Sequence, residues 1–121
     1  MKLKLKRIYE PRTERDGLRV LVDRLWPRGL KKEAAGIDLW AKELAPSTEL
    51  RRWFHAEPAA DRWAEFRRRY EAELTANEEA VEALRAHIGK GTATLLYGAA
   101  DTEHNHAVIL RDFLNRRPKR R

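Results

Sequence analysis

Two short stretches, Leu18–Val22 (LRVLV) and Thr92–Tyr97 (TATLLY), limit what this chain can fold into more than any other feature. Each is five or six residues long, dominated by Val, Leu and small residues, and opens after a glycine, Gly17 or Gly91. Runs of that length and content read as strands. Neither shows a clean apolar–polar alternation, so both faces are expected to be covered, as they are for parallel strands in α/β folds. Lys2–Tyr9 does alternate, with Leu3 and Leu5 on one face and lysines on the other. That is the pattern of a strand with one wet face, and its lysines suit a sheet edge.

The remaining periodicity is helical. Leu50, Trp53 and Phe54 form a short apolar face behind Ser47, a good N-cap, with Glu49 in the first turn. Trp63, Phe66, Tyr70 and Leu74 recur at three- and four-residue steps, the strongest amphipathic signal in the chain. Glu65 and Arg69 form an i,i+4 pair on the wet side of that helix. Thr75-Ala-Asn-Glu78 resembles a capping box opening another helix, in which Val81, Leu84 and Ile88 are buried and which Gly89 ends. A last helix, capped by Asp101 or Thr102, carries Ala107, Leu110 and Leu114. From Pro27 to Pro46 the pattern is irregular, a long connection with helical turns near Lys31–Ala35 and Leu39–Glu43, and connections of this kind often carry function. The order predicts an α/β fold: a small, mostly parallel three-stranded sheet with helices packed on both faces.

At 121 residues with 42% hydrophobic content, residues 1–115 are expected to form one domain. The formal charge is +7, but five basic residues lie in the tail 116–121, which is expected to be disordered and is a possible contact for nucleic acid. Cysteine is absent, which excludes disulfides, thiolate metal sites and a cysteine nucleophile. The charged N-terminus lacks the apolar core of a signal peptide, and no apolar run approaches the roughly 18 residues of a membrane span. The expected setting is the cytoplasm, away from membranes. Nothing in the sequence calls for a cofactor, and the oligomeric state stays open.

Two groups of reactive side chains follow the two apolar strands. The first is Asp23, Arg24, Arg28, Lys31 and Lys32, the second Tyr97, Asp101, His104, Asn105 and His106. If the strands are parallel neighbours, both groups fall at the carboxyl edge of the sheet, where α/β folds bind ligands. Arg24 and Arg28 flank Trp26-Pro27, a pair of restricted backbone freedom, and two guanidinium groups on a stiff loop suit a phosphate or carboxylate. The plainer alternative is surface arginines paired with acids and Trp26 in the core. His104-Asn105-His106 falls in the expected first turn of the last helix, where free N–H groups favour anions and a neutral imidazole could act as general acid or base. The alternative is one histidine capping the turn and the other packed or exposed. A metal held by Asp101, His104 and His106 would need a distorted turn, because residues i and i+2 do not share a helix face. No glycine-rich phosphate loop is present: Gly89-Lys90-Gly91 precedes a strand, not a helix. The candidate set is therefore His104, His106 and Tyr97 for chemistry, and Arg24, Arg28, Lys32, Asn105 and Trp26 for an anionic, phosphate- or nucleotide-like ligand. No metal is assigned, and whether the chain is an enzyme at all stays open. The other reading is a nucleic-acid-associated or regulatory binding protein, with the tail and Arg67–Arg69 on phosphates.

LVDRLWPRGL (21–30), DLWAKELAPSTELRRWF (38–54) and LLYGAADTEHNHAVIL (95–110) together resemble the YeaO-like family of small bacterial proteins, a domain of unknown function (family 488). The resemblance runs from Lys6 to about Leu114. It implies a compact cytoplasmic α/β domain with no settled activity. It also singles out Arg24, Trp26, Pro27, Arg28, Gly29, Lys32, Asp38, Trp40, Lys42, Ser47, Trp53, Tyr97, His104, Asn105 and His106. Larger relatives in the wider superfamily often carry a cysteine at the end of the last strand, where this chain has Tyr97. Some family members carry transcription-regulator labels, but no recognition-helix and wing pattern accompanies them here.

Overall fold

The computed structural model describes residues 1–116; the tail expected from 116 onward lies, past Arg116, outside the described residues. Four strands form one parallel sheet: β1 (Lys2–Arg7), β2 (Leu18–Leu21), β3 (Leu39–Trp40) and β4 (Thr92–Tyr97), in the order β1-β4-β2-β3. The two apolar runs are therefore neighbours in the centre, Val20 opposite Leu95, and the lysine-bearing strand lies at an edge. The expected three strands become four. β3 is only two residues long and forms because the free edge of β2 captures the irregular connection, through Asp38 N–H to Arg19 O and Ala41 N–H to Leu21 O. Two residues are too few to show a period.

The helices are α1 (Lys32–Ala35), α2 (Thr48–His55), α3 (Ala59–Ala76), α4 (Glu78–Ile88) and α5 (His106–Asn115). Contrary to the expectation of helices on both faces, α2–α5 all pack on one. There Val20, Val22, Ala93, Leu95 and Tyr97 meet Phe54, Phe66, Tyr70, Leu84 and Leu110 in a single core. The other face carries a smaller apolar group, Ile8, Leu21 and Leu96 beneath Trp26, Leu30, Ile37 and Trp40, covered by loops and the single turn α1. Both connections that cross it, after β1 and after β2, hold no long helix.

Part of this second face is polar and still fully covered. Arg19 and Thr94 point into it, and the chain turns over them through Glu14–Asp16. Arg19 donates to Asp16 (2.5 Å) and to the carbonyls of Gly36 and Ala35, while Thr94 Oγ1 donates to Asp16 O. Gly17 makes this turn possible: its φ is +64°, and a Cβ there would sit 2.2 Å from the Thr92 carbonyl oxygen. No other residue fits so close an approach.

Two helix boundaries differ from expectation. Thr75 is not a cap: α3 runs through it to Ala76, its hydroxyl bonds back to Glu71 O, and Asn77 joins α3 to α4. At the other end α5 begins only at His106, with the Asn105 side chain accepting from Ala107 N and Val108 N. Asp101 caps the turn before it, accepting from Glu103 N and His104 N at 2.9 Å. Ser47 caps α2 as expected and is itself held by Glu73 of α3. Tyr70, fully buried, donates its hydroxyl to Leu44 O at 2.5 Å. Tyr70→Phe leaves that carbonyl unpaired, and thermal or urea unfolding should show a loss of about 1–2 kcal/mol.

Candidate functional site

Because all four strands run the same way, their carboxyl ends meet at one edge, and a cavity opens there. It measures about 310 Å³, enough for a small ligand. Asp23, Arg24 and Leu25 come from the end of β2, Ala45 and Pro46 from the loop after β3, and Gly98, Ala99 and His104–His106 from the segment after β4. α2 adds Arg51, Phe54 and His55, and α3 adds Phe66. The Phe54 and Phe66 rings stack at 3.9 Å, so the cavity has one apolar wall.

Asp23 ties the two central strands together at this edge. Its Oδ2 accepts from Gly98 N at 2.9 Å. Its Oδ1 is buried without a hydrogen bond, although His106 Nε2 stands 3.3 Å away. The same ring nitrogen lies 2.9 Å from Val22 O, which only accepts. So Nε2 carries a proton, and that single N–H is directed chiefly at the carbonyl. Arg24 straps the end of β2 to the loop before α2, donating through Nε to Pro46 O and through Nη2 to Ala45 O.

Positive charge gathers at this cavity. Arg51 and His55 stand one turn apart on α2, and Arg51 makes no ion pair among the described residues. Burial and the neighbouring positive charges of Arg51 and His106 hold the His55 imidazole below its ordinary value. His104 sits against the edge of the Trp63 ring (5.3 Å) with Nδ1 3.0 Å from Asp101 Oδ2. The backbone N–H groups of His104 and Glu103 keep the Asp101 carboxyl below its usual range. The first N–H groups of α5 are already taken by Asn105, so the helix N-terminus offers an anion its dipole but few free donors.

The expected site is thus brought together in part. Arg24, His104, Asn105 and His106 line the cavity. Trp26, Arg28 and Lys32 do not: past Leu25 the chain crosses to the second face. There Trp26 donates to Leu30 O and packs edge-on against Trp40. Lys32 borders a second cavity of about 230 Å³ with Trp26, Asp38 and Trp40. Arg28 is exposed. Tyr97 is in the helix-side core beside Asn105, and burial raises its phenol above the ordinary value. Among the described residues no group of three or more His, Cys, Asp or Glu could hold a metal. Sequence reasoning placed Asp23 in the neighbourhood but gave it no role, and it missed Arg51 and His55. The only signal for the latter pair was a polar i,i+4 spacing next to buried Phe54.

Comparison with known proteins agrees with the scale of this fold. Residues 2–121 match a family model described as the inactive DUF488-N3 subclade. An uncharacterised protein of Escherichia coli strain K12, YeaO, is 47% identical over 114 residues, spanning 94% of this chain and 97% of its own. The uncharacterised Rv3073c of Mycobacterium tuberculosis is 38% identical over 116 residues, 96% of either chain. No solved structure matches the chain.

Proposed function

The chain belongs to the inactive DUF488-N3 subclade of YeaO-like proteins, and from that premise we propose that it is a binding domain for a small anion of the phosphate or nucleotide kind, held at the carboxyl edge of the sheet without being transformed. The observation that carries this reading is the gathering of Arg24, Arg51, His55 and His106 around one cavity; burial first, and then the charges of Arg51 and His106, hold the His55 imidazole below its ordinary value. Arg51 is the free guanidinium. Arg24 has two donors committed to carbonyls, and its remaining N–H groups turn a structural strap into one wall of the site. The Asp23–His106 pair then orients an imidazole rather than transferring a proton. The family description supports binding without turnover, and acid/base work by His104 or His106 is the competing outcome.

An anion in this cavity would offset the local positive charge, so it should raise the His55 titration midpoint, and binding should take up protons. Sulfate is the clean probe, since it does not titrate near neutral pH. NMR titration of the imidazole signals with and without sulfate reads the shift directly, and an unmoved His55 ends the proposal. Arg51→Ala should weaken sulfate or nucleotide binding roughly tenfold, in line with a charged hydrogen bond of about 1.5–3 kcal/mol, with little change in thermal stability. Hydrolysis or transfer on a nucleotide, abolished by His106→Gln, would favour the catalytic alternative.

A further inference from the structure

Charge in this chain is segregated along the sequence. Residues 1–42 carry 12 basic and 6 acidic side chains, and residues 43–116 carry 10 basic and 13 acidic. On the helices the arginines are largely neutralised where they stand. Arg67 faces Glu71 and Asp112, Arg68 and Arg69 share Glu65, and Arg85 meets Glu82. The Arg67–Arg69 run that sequence reading offered for phosphate contact is therefore occupied. In the first 42 residues only Lys6 and Arg19 are ion-paired among the described residues, both with buried Asp16.

Arg24 lines the cavity and Arg7 reaches the carbonyls of Gly98 and Ala99, but several other cations of that segment stand on the second face. Register places Lys2 and Lys4 on the side of Thr92 and Thr94, away from the long helices. Lys4 Nζ reaches the Arg15 carbonyl, and Arg12 lies against Gly36. Lys31 and Lys32 open α1 over the same face. Asp38, which borders the second cavity with Lys32, is spent on Arg19 N–H, and Glu33 and Glu14 make no ion pair with these cations among the described residues. Aromatic rings stand among these charges. Tyr9 is 48% exposed under the Arg7 guanidinium, and the Trp40 ring lies under Lys42 and against Trp26. Both indole N–H groups are used internally, on Leu30 O and Asp23 O, so these rings can offer a ligand only their faces and edges.

We propose that this loop-covered face binds single-stranded nucleic acid, the unpaired Arg12, Arg15, Lys31 and Lys32 on backbone phosphates and the Tyr9, Trp26 and Trp40 rings on unstacked bases. Unpaired cations interleaved with aromatic faces are what a flexible polyanion with flat bases requires, and a duplex keeps its bases out of reach. With no base-reading donors in the set, binding tolerates any sequence. The surface uses none of the cavity residues, so it stands or falls apart from the anion reading.

The test is fluorescence anisotropy of the full chain with a labelled oligothymidylate about 12 nucleotides long, at several salt concentrations. Affinity should fall steeply with salt, and indole emission should be quenched on binding. Arg15→Gln/Lys31→Gln/Lys32→Gln should weaken binding roughly tenfold or more and flatten the logarithmic salt slope by about 2, at 0.7 per lost single-strand contact. Arg68→Gln/Arg69→Gln and the tail variant Lys119→Gln/Arg120→Gln/Arg121→Gln should each change it less than the face variant does. If the triple variant misfolds, Lys31→Gln/Lys32→Gln, both on exposed positions, carries the same comparison. The proposal is overturned by an oligonucleotide that does not bind, by a face variant that binds like the native chain, by tail substitutions that alone remove binding, or by tighter binding to a duplex or to anionic vesicles than to the single strand.

Discussion

Replacing Arg19 with alanine is expected to lower the free energy of unfolding by roughly 3–5 kcal/mol, the usual consequence of stranding one member of a buried ion pair. Arg19 is 2% exposed and so is Asp16. The guanidinium satisfies three acceptors at once: the Asp16 carboxylate and the carbonyls of Gly36 and Ala35. Its removal leaves the carboxylate with Lys6 and Thr13, and it unties the loop carrying α1 from the sheet. Urea unfolding at neutral pH measures the loss, and a variant within 1 kcal/mol of the native chain, well under this figure, would show that the network is incidental.

The same pair sets an acid dependence. Burial by itself would raise the Asp16 carboxyl, but the Thr13 backbone N–H, Lys6, the Thr13 hydroxyl and Arg19 outweigh it and leave the group far below its usual range. A carboxyl whose folded value is depressed stabilises the fold fully above its unfolded value, about 4, and that contribution drains away as pH falls toward the folded value. The native chain should therefore lose stability steadily below about pH 4. Arg19→Ala, with a smaller depression to lose, should show a shallower slope over the same range.

Phe66→Ala should cost about 3–5 kcal/mol, the range for emptying a large aromatic site in a packed core. Phe66 is 2% exposed, stacks on Phe54 at 3.9 Å, and leads to Tyr70 at 6.0 Å between ring centres. It is also a wall of the cavity, so the loss should reach function: the cavity enlarges, and Phe54 loses the ring that holds it next to His55. Phe66→Leu, which keeps most of the volume, should cost clearly less and preserve anion binding. Denaturant unfolding of both variants, with sulfate titration of the folded one, separates packing from recognition. Equal losses for the two would mean that shape, not volume, is what this position supplies.

Helix patterning was legible wherever burial follows a period. The Trp63–Leu74 stripe, the Val81–Ile88 stripe and the Ser47 cap all stand where spacing put them. So were the central strands, because two short runs with four apolar residues each, both opening after a glycine, leave few alternatives. β3 was not legible, since two residues carry no period and form a strand only because β2 has a free edge. Thr75 matched a capping box in letters, yet it sits inside α3, because continued packing of Tyr70 and Leu74 outweighs a local cap. Of the candidate residues, Arg24, His104, Asn105 and His106 line one cavity at the end of the two central strands. Trp26, Arg28 and Lys32 were assigned to the same place because they follow Arg24 in the chain, but the backbone turns under the sheet between Leu25 and Leu30.

By itself the sequence determined the class of fold, the edge at which reactive groups collect, the absence of thiol chemistry and the kinship with YeaO-like proteins. The first three follow from composition and from short-range periodicity, which the chain carries locally, and the kinship rests on three long motifs. Only the tertiary structure decided which groups share a cavity: it paired Asp23 with His106, brought Arg51 and His55 in from α2, and sent the Trp26 corner to the opposite face. Which face a loop takes after a strand depends on what already covers each side of the sheet, and that is a property of long-range packing that no local pattern records.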